Sequence, residues 1–221
     1  MDFSIEDELK CELARLYPGC SFIGEERGLS VAEGAFRCII DPLDRTANYV
    51  AGLPHWCVMV ACMDVATERL LWSIIYAPRL GEFALAIAGK GAWLNGKRIR
   101  VTGEILLTNV VQNVGVSHDE ATLVKIVAMD KQLNEVRNLG SCGCQGVATA
   151  CGRIGFFPEL GGGKVWDVAP VMLMVQEAGG VVVGLDYGPV QLHLDEKTKH
   201  YFIFTTPALL AQLKFHGISF A

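Results

Sequence analysis

The stretch Ile39-Ile40-Asp41-Pro42-Leu43-Asp44-Arg45-Thr46 decides how this chain is read. The apolar run Cys38-Ile39-Ile40 predicts a buried strand over Arg37 to Ile40, and it ends in two carboxylates with Pro42 between them. A strand that delivers paired aspartates to its C-terminal end can build a hard-cation site. Mg²⁺ takes oxygen ligands in near-octahedral geometry, usually one or two carboxylates together with waters and a substrate phosphate. Pro42 fixes φ and lets the backbone turn at Leu43, so the Leu43 carbonyl can also face a metal. If Asp44 caps a short helix over Ala47 to Ala51, the free N–H groups beyond it are placed to receive a phosphate. The same letters also suit an ordinary turn and cap. Their partners elsewhere in the chain weigh toward phosphate chemistry.

The bulk numbers narrow the class. At 221 residues the chain fits one sizeable domain or two closely packed subdomains, and we divide it at 1–108 and 109–221. With 51% hydrophobic and 19% charged residues it has ample material for a core. A net charge of −5 with no Lys/Arg-rich run gives no reason to expect a nucleic-acid partner. The eight cysteines are scattered through apolar runs and read as reduced, buried thiols of a cytoplasmic protein. Cys142-Gly143-Cys144 lacks the second pair that a zinc site needs. The acidic N-terminus does not resemble a signal peptide. Trp56 to Met63 and Leu70 to Tyr76 are too short to span a bilayer, so no membrane partner is expected.

Periodicity predicts an amphipathic helix over Ser4 to Leu16, with Ile5, Leu9, Leu13 and Leu16 on one face and Ser4 with Asp7 as its cap. Cys20 to Ile23 reads as a strand delivering Gly24-Glu25-Glu26. Strands follow at Cys57 to Met63, Leu70 to Tyr76 and Glu82 to Ala88, then a tight hairpin around Asn95-Gly96. In the second half we expect a strand at Val110 to Val116, a helix over Asp119 to Leu133, a strand near Asn134 to Asn138 and a small-residue helix from Gly140 to Cys151. The glycine loop Gly161-Gly162-Gly163 leads to Asp167, which opens the apolar helix Val168 to Glu177, with Pro170 in its first turn. Val181 to Val183 and Tyr201 to Phe204 read as strands, and Pro207 to Leu213 as a last helix.

Four acids thus sit at strand ends or helix starts: Glu25, Asp41, Asp44 and Asp167. Gly-Glu-Glu at 24–26, Asp-Pro-Leu-Asp-x-Thr-x-Asn-Tyr at 41–49, and Trp-Asp-Val-Ala at 166–169 with Glu-Ala-Gly-Gly at 177–180 resemble the inositol monophosphatase family of Mg²⁺-dependent, lithium-sensitive phosphatases. Tyr76-Ala-Pro-Arg79, the run from Gly89 to Gly96, Gly140-Ser141 and Gly152-Arg153 extend the match over nearly the whole chain.

The resemblance implies a layered αβαβα fold of the α+β class, with a mostly antiparallel N-terminal sheet and a smaller mixed C-terminal sheet. It implies two to three Mg²⁺ ions and inhibition by Li⁺. Glu25, Asp41 and the Leu43 carbonyl would hold one ion, and Asp41, Asp44 and Asp167 a second. Thr46, paired with Asp2, would position the attacking water, and the backbone N–H groups of Arg45 and Thr46 would cradle the phosphate. Ser141, Cys142 and Glu159 would meet substrate hydroxyls, and a homodimer is implied by resemblance alone.

Three departures from the family pattern stand out. Arg45 replaces a glycine that lets the backbone approach phosphate, and it could swing outward, clamp phosphate or displace a metal by its own charge. The family's first long helix is expected to be missing, which would expose an apolar face. Gly155 replaces an acid, and one extra residue between Glu159 and Asp167 could carry Glu159 away from substrate. The reading is a Mg²⁺-dependent phosphomonoesterase for a small polyol or sugar phosphate such as inositol monophosphate. The alternative is a catalytically impaired paralogue acting as a binding or regulatory subunit.

Overall fold

Alternation along the strands sets which way each sheet faces. In β5 (Leu70–Ala77) Ser73, Ile75 and Ala77 are buried while Tyr76 is exposed, and in β6 (Glu82–Ile87) Ala84 and Ala86 are fully buried while Phe83 is exposed. A computed structural model describes residues 1–113, 135–195, 197–216 and 218. Its main sheet has eight strands in the order β2-β1-β3-β4-β5-β6-β7-β8, where β1 is Ser21–Gly24, β2 Gly28–Ser30, β3 Phe36–Asp44, β4 Cys57–Asp64, β7 Gly91–Leu94 and β8 Lys97–Ile99. Only β1 and β3 pair in parallel; every other neighbouring pair is antiparallel. The expected hairpin is present: Leu94 pairs with Lys97, and Asn95 (φ 49°) and Gly96 (φ 77°) take the left-handed turn between them.

The inner face of this sheet packs on α3 (Cys142–Ala150) and α4 (Val165–Glu177). One core cluster joins Met59, Ile75 and Ala86 to Val147, Val171, Met174 and Phe204, so residues from both halves of the chain share it. Beyond α4 lies a three-stranded antiparallel sheet, β11 (Phe157–Pro158), β13 (Phe202–Thr205) and β12 (Val181–Gly184). Phe202 and Phe204 of β13 belong to the core around α4, and Ile203 between them packs with Leu209 and Leu213 of α5 (Pro207–Phe215). With α1 (Asp2–Leu16) on the outer face of the large sheet, the layers run αβαβα. The parallel pairing expected in the second half falls in a separate pair, β9 (Val111–Asn113) with β10 (Glu135–Arg137), rather than in the three-stranded sheet. The helix expected over Asp119 to Leu133 lies outside the described residues, as does the end of the strand expected to reach Val116.

Several local expectations are corrected. Helix α1 begins at Asp2, without the Ser4–Asp7 cap. Its Leu13 is buried while Leu16 is 72% exposed, so the stripe does not run to the helix end. Helix α4 begins at Val165, three residues early, which puts Pro170 in its second turn. The outer face of β5 and β6 carries Trp72, Ile74, Tyr76, Phe83, Leu85 and Ile87, with Tyr76 and Phe83 exposed. No helix among the described residues is long and apolar enough to cross a membrane.

Candidate active site

Two aspartates three residues apart on a regular strand would point to opposite faces. Here β3 does not end at Ile40 but runs on to Asp44. Asp41 pairs with Met59 and Asp44 with Cys57, so three steps on β3 oppose two on β4. The extra residue is a bulge at Pro42-Leu43, and it turns both carboxylates into one cleft. Proline is tolerated there because a bulged residue owes no ladder bond. The Leu43 N–H donates to Asp41 Oδ1 at 3.0 Å and fixes the first carboxyl.

Asp44 is held by the start of α3. Ser141 Oγ and the Gly143 N–H donate to Asp44 Oδ2 at 2.6 and 2.7 Å, and the Cys57 thiol donates to the same oxygen at 3.5 Å. Asp167 is the third residue of α4 and accepts the Lys164 N–H at 2.5 Å, a capping interaction that fixes its rotamer. Carboxylate oxygens of Asp41, Asp44 and Asp167 lie within 4.8 Å of one another.

Parallel pairing of β1 with β3 brings Glu25 alongside: Gly24 registers with Ile40, and the Glu25 N–H donates to the Ile40 carbonyl. A residue that the sequence reading missed holds this corner. Glu6 of α1 is fully buried, accepts the N–H groups of Glu26 and Arg27 at 2.8 and 3.1 Å, and pairs with Lys10 at 2.6 Å. A Cβ on Gly24 would lie 2.1 Å from Glu6 Oε1, so the glycine of Gly-Glu-Glu makes room for that carboxylate. Asn48, quoted in the 41–49 motif without a role, donates its amide to the carbonyls of His55 and Leu139, tying the segment after Asp44 to the second half.

The acids are electrostatically frustrated without a cation. Burial pushes Asp41 well above the usual carboxylate range, and the charges of Asp44, Asp167 and Glu25 add to it. Burial, then the charge of Asp44, moves Asp167 up to about 8. Desolvation moves Glu25 up to about 7 although the residue itself is exposed at the edge of the cleft. Asp44 is raised by burial despite the hydrogen bonds it accepts. Oxygen-only donors, mutual repulsion and burial together fit a hard divalent cation, which would restore the ionised forms. Glu25, Asp41, Asp44 and Asp167 are the acids that would hold it.

The cleft has a volume of about 370 Å³. Thr46 lines it, and its Oγ1 lies 3.4 Å from Asp2 Oδ2 and 3.3 Å from the Leu43 carbonyl. Leu43 and Cys142 are lining residues as well, and so is Glu159, which burial moves up to about 7 and which accepts the Gly161 N–H at 2.9 Å. The extra glycine therefore leaves Glu159 in the cleft. Ser141 is a correction to the expected substrate contact: fully buried, it donates to Asp44 and accepts the Cys144 N–H at 3.0 Å as the cap of α3. Gly155 lies away from the cleft, packed against Val110 and Leu209. Arg45 lines the cleft in the left-handed conformation (φ 70°, ψ 60°), which costs a residue with a Cβ about 1–2 kcal/mol.

This layered fold with an acid-lined cleft has clear relatives. Residues 1–212 match the model of the inositol monophosphatase family. Inositol monophosphatase 2 of Solanum lycopersicum is 36% identical over 201 residues, covering 83% of this chain and 75% of that one. A Nus factor SuhB of Xylella fastidiosa is 38% identical over 189 residues, covering 82% of this chain and 66% of its own. The crystal structure of the extragenic suppressor protein suhB from Bartonella henselae superposes with a TM-score of 0.87 at 27% identity, over 97% of this chain and 86% of that one. The fold is that of a family of phosphatases. The chain belongs to the inositol monophosphatase family.

Proposed function

We propose that this chain is a Mg²⁺-dependent phosphomonoesterase that hydrolyses a small polyol or sugar phosphate by direct attack of water. The observation that carries the reading is the convergence of Asp41, Asp44 and Asp167 within 4.8 Å in one cleft. Mg²⁺ bound to these acids, Glu25 and the Leu43 carbonyl would supply Lewis-acid chemistry, neutralising phosphate oxygens and acidifying a water.

The chain's own groups do the rest. Asp41, fixed by the Leu43 N–H, and Asp44, fixed by Ser141 and Gly143, are oriented before any ligand arrives, which lowers the reorganisation needed during reaction. Thr46 can donate its hydroxyl proton toward Asp2 or the Leu43 carbonyl, leaving its lone pairs to orient a water. Glu159 and Cys142 line the wall available to the alcohol part of the substrate. No His stands among the described lining residues, and the buried Cys142 thiol is held well above its usual range, which supports attack by water over a phosphoenzyme. A homodimer and a cytoplasmic setting complete the reading.

The test is Mg²⁺-dependent phosphate release from inositol monophosphate and a panel of sugar phosphates, with Asp44→Asn beside wild type. Turnover is expected in wild type and not in the variant; a variant that retains it removes the assigned site.

A further inference from the structure

Arg45 is a cation without an ion pair among the described residues, although its charge reaches the Glu159 carboxyl in the same cleft. Its Nε is buried without a hydrogen-bond partner, and no ion pair joins its guanidinium to any described residue. It is not a loose surface chain: the guanidinium lies against Gly140, where a Cβ would sit 3.2 Å from Nε, and next to the Asn48 amide that staples this wall. The left-handed backbone at Arg45 is where a glycine would be expected, so the charged side chain is present in spite of local preference.

An uncharged polyol offers this cation no counter-charge, and the reacting phosphate would already be met by the Mg²⁺ that the acids would hold. A planar guanidinium pairs best with a carboxylate or phosphate through two parallel hydrogen bonds. We propose that Arg45 receives a second anionic group of the substrate, so that this chain selects phosphomonoesters bearing a carboxylate or a further phosphate over esters of uncharged polyols. The inference rests on the phosphatase reading and narrows its substrate class.

Binding is tested without turnover, by calorimetry in Mg²⁺ with methylphosphonate, which carries one anionic group, and phosphonoacetate, which carries two. Wild type is expected to prefer phosphonoacetate by about tenfold or more, the size of a charge-assisted hydrogen bond. Arg45→Gln should weaken phosphonoacetate far more than methylphosphonate and so remove most of that preference, and Arg45→Lys, which keeps charge without the fork, should retain part of it. The proposal is overturned if wild type shows no preference, if Arg45→Gln weakens both ligands equally, or if it tightens both. Turnover gives the second readout: 2-phosphoglycerate should have a lower KM than glycerol 2-phosphate, with the difference lost in Arg45→Gln. Equal kcat/KM for the two esters overturns the anion site while the phosphatase reading stands. Binding preference without hydrolysis of any ester overturns the phosphatase reading and leaves the anion site in place.

Discussion

The Ser141 hydroxyl donates to Asp44 Oδ2 at 2.6 Å across 97 positions of sequence. It joins the bulged strand that carries the aspartate pair to the first turn of α3, and the same oxygen accepts the Cys144 N–H, so one buried serine caps a helix and orients an acid. Ser141→Ala removes both bonds. The expected loss is about 1–2 kcal/mol of stability from the cap, together with weaker Mg²⁺ binding from a freed Asp44 carboxylate. Thermal unfolding and a Mg²⁺ titration read the two effects; unchanged metal affinity would confine Ser141 to capping.

Glu6 holds the backbone just beyond Glu25 and is not among the residues lining the cleft. Glu6→Gln keeps the shape but replaces an acceptor that serves two N–H groups and Lys10. Loss of a buried charged partner costs about 1–3 kcal/mol, and the corner bearing Glu25 should loosen. Mg²⁺ affinity is expected to fall several-fold while KM for the ester at saturating metal stays near wild type. A stability loss with unchanged metal affinity would show that Glu6 only holds the fold.

Metal-free protein should lose stability as pH rises. Asp167 and Glu25 are moved up to about 8 and about 7, so the folded state keeps protons that the unfolded chain gives up near pH 4. Their favourable contribution is complete below the unfolded values and is lost as pH climbs through the folded ones. The melting temperature in EDTA should therefore decline between about pH 5 and 8, and Mg²⁺ should flatten the decline. A metal-free melting temperature that rises over this window would contradict the electrostatic account.

Thr46 and Asp2 are expected to act on the chemical step. Thr46→Val removes the hydroxyl and keeps the volume, and kcat should fall by about 10²-fold or more, the range for positioned proton transfer, with Mg²⁺ binding little changed. Asp2→Asn should fall less, because the Leu43 carbonyl offers Thr46 a second acceptor at 3.3 Å. Equal kcat in Thr46→Val and wild type would remove the threonine from the mechanism.

The parts of this site that the sequence reveals are those carried by contiguous residues. Asp41 and Asp44 stand out because a strand runs directly into them, and Asp167 because it follows a glycine loop. The pairing of Asp2 with Thr46 comes from family resemblance, since nothing local relates residues 44 positions apart. The bulge at Pro42-Leu43 could not be read, because it is a mismatch in register with β4 and exists only between two strands. Glu6 was invisible for a similar reason: its partners are some 20 residues away, and on its helix it looks like any solvated acid. Ser141 was placed correctly at a helix start, but which side its hydroxyl served depended on how α3 meets β3.

The proposed function requires that the acids of the cleft form a metal site that works with phosphate. Calorimetry of the purified protein with Mg²⁺, with and without inorganic phosphate, tests this most directly. Saturable Mg²⁺ binding that tightens with phosphate and disappears in Asp41→Asn is the predicted result. No Mg²⁺ binding at millimolar concentration, or binding unaffected by Asp41→Asn, would contradict it.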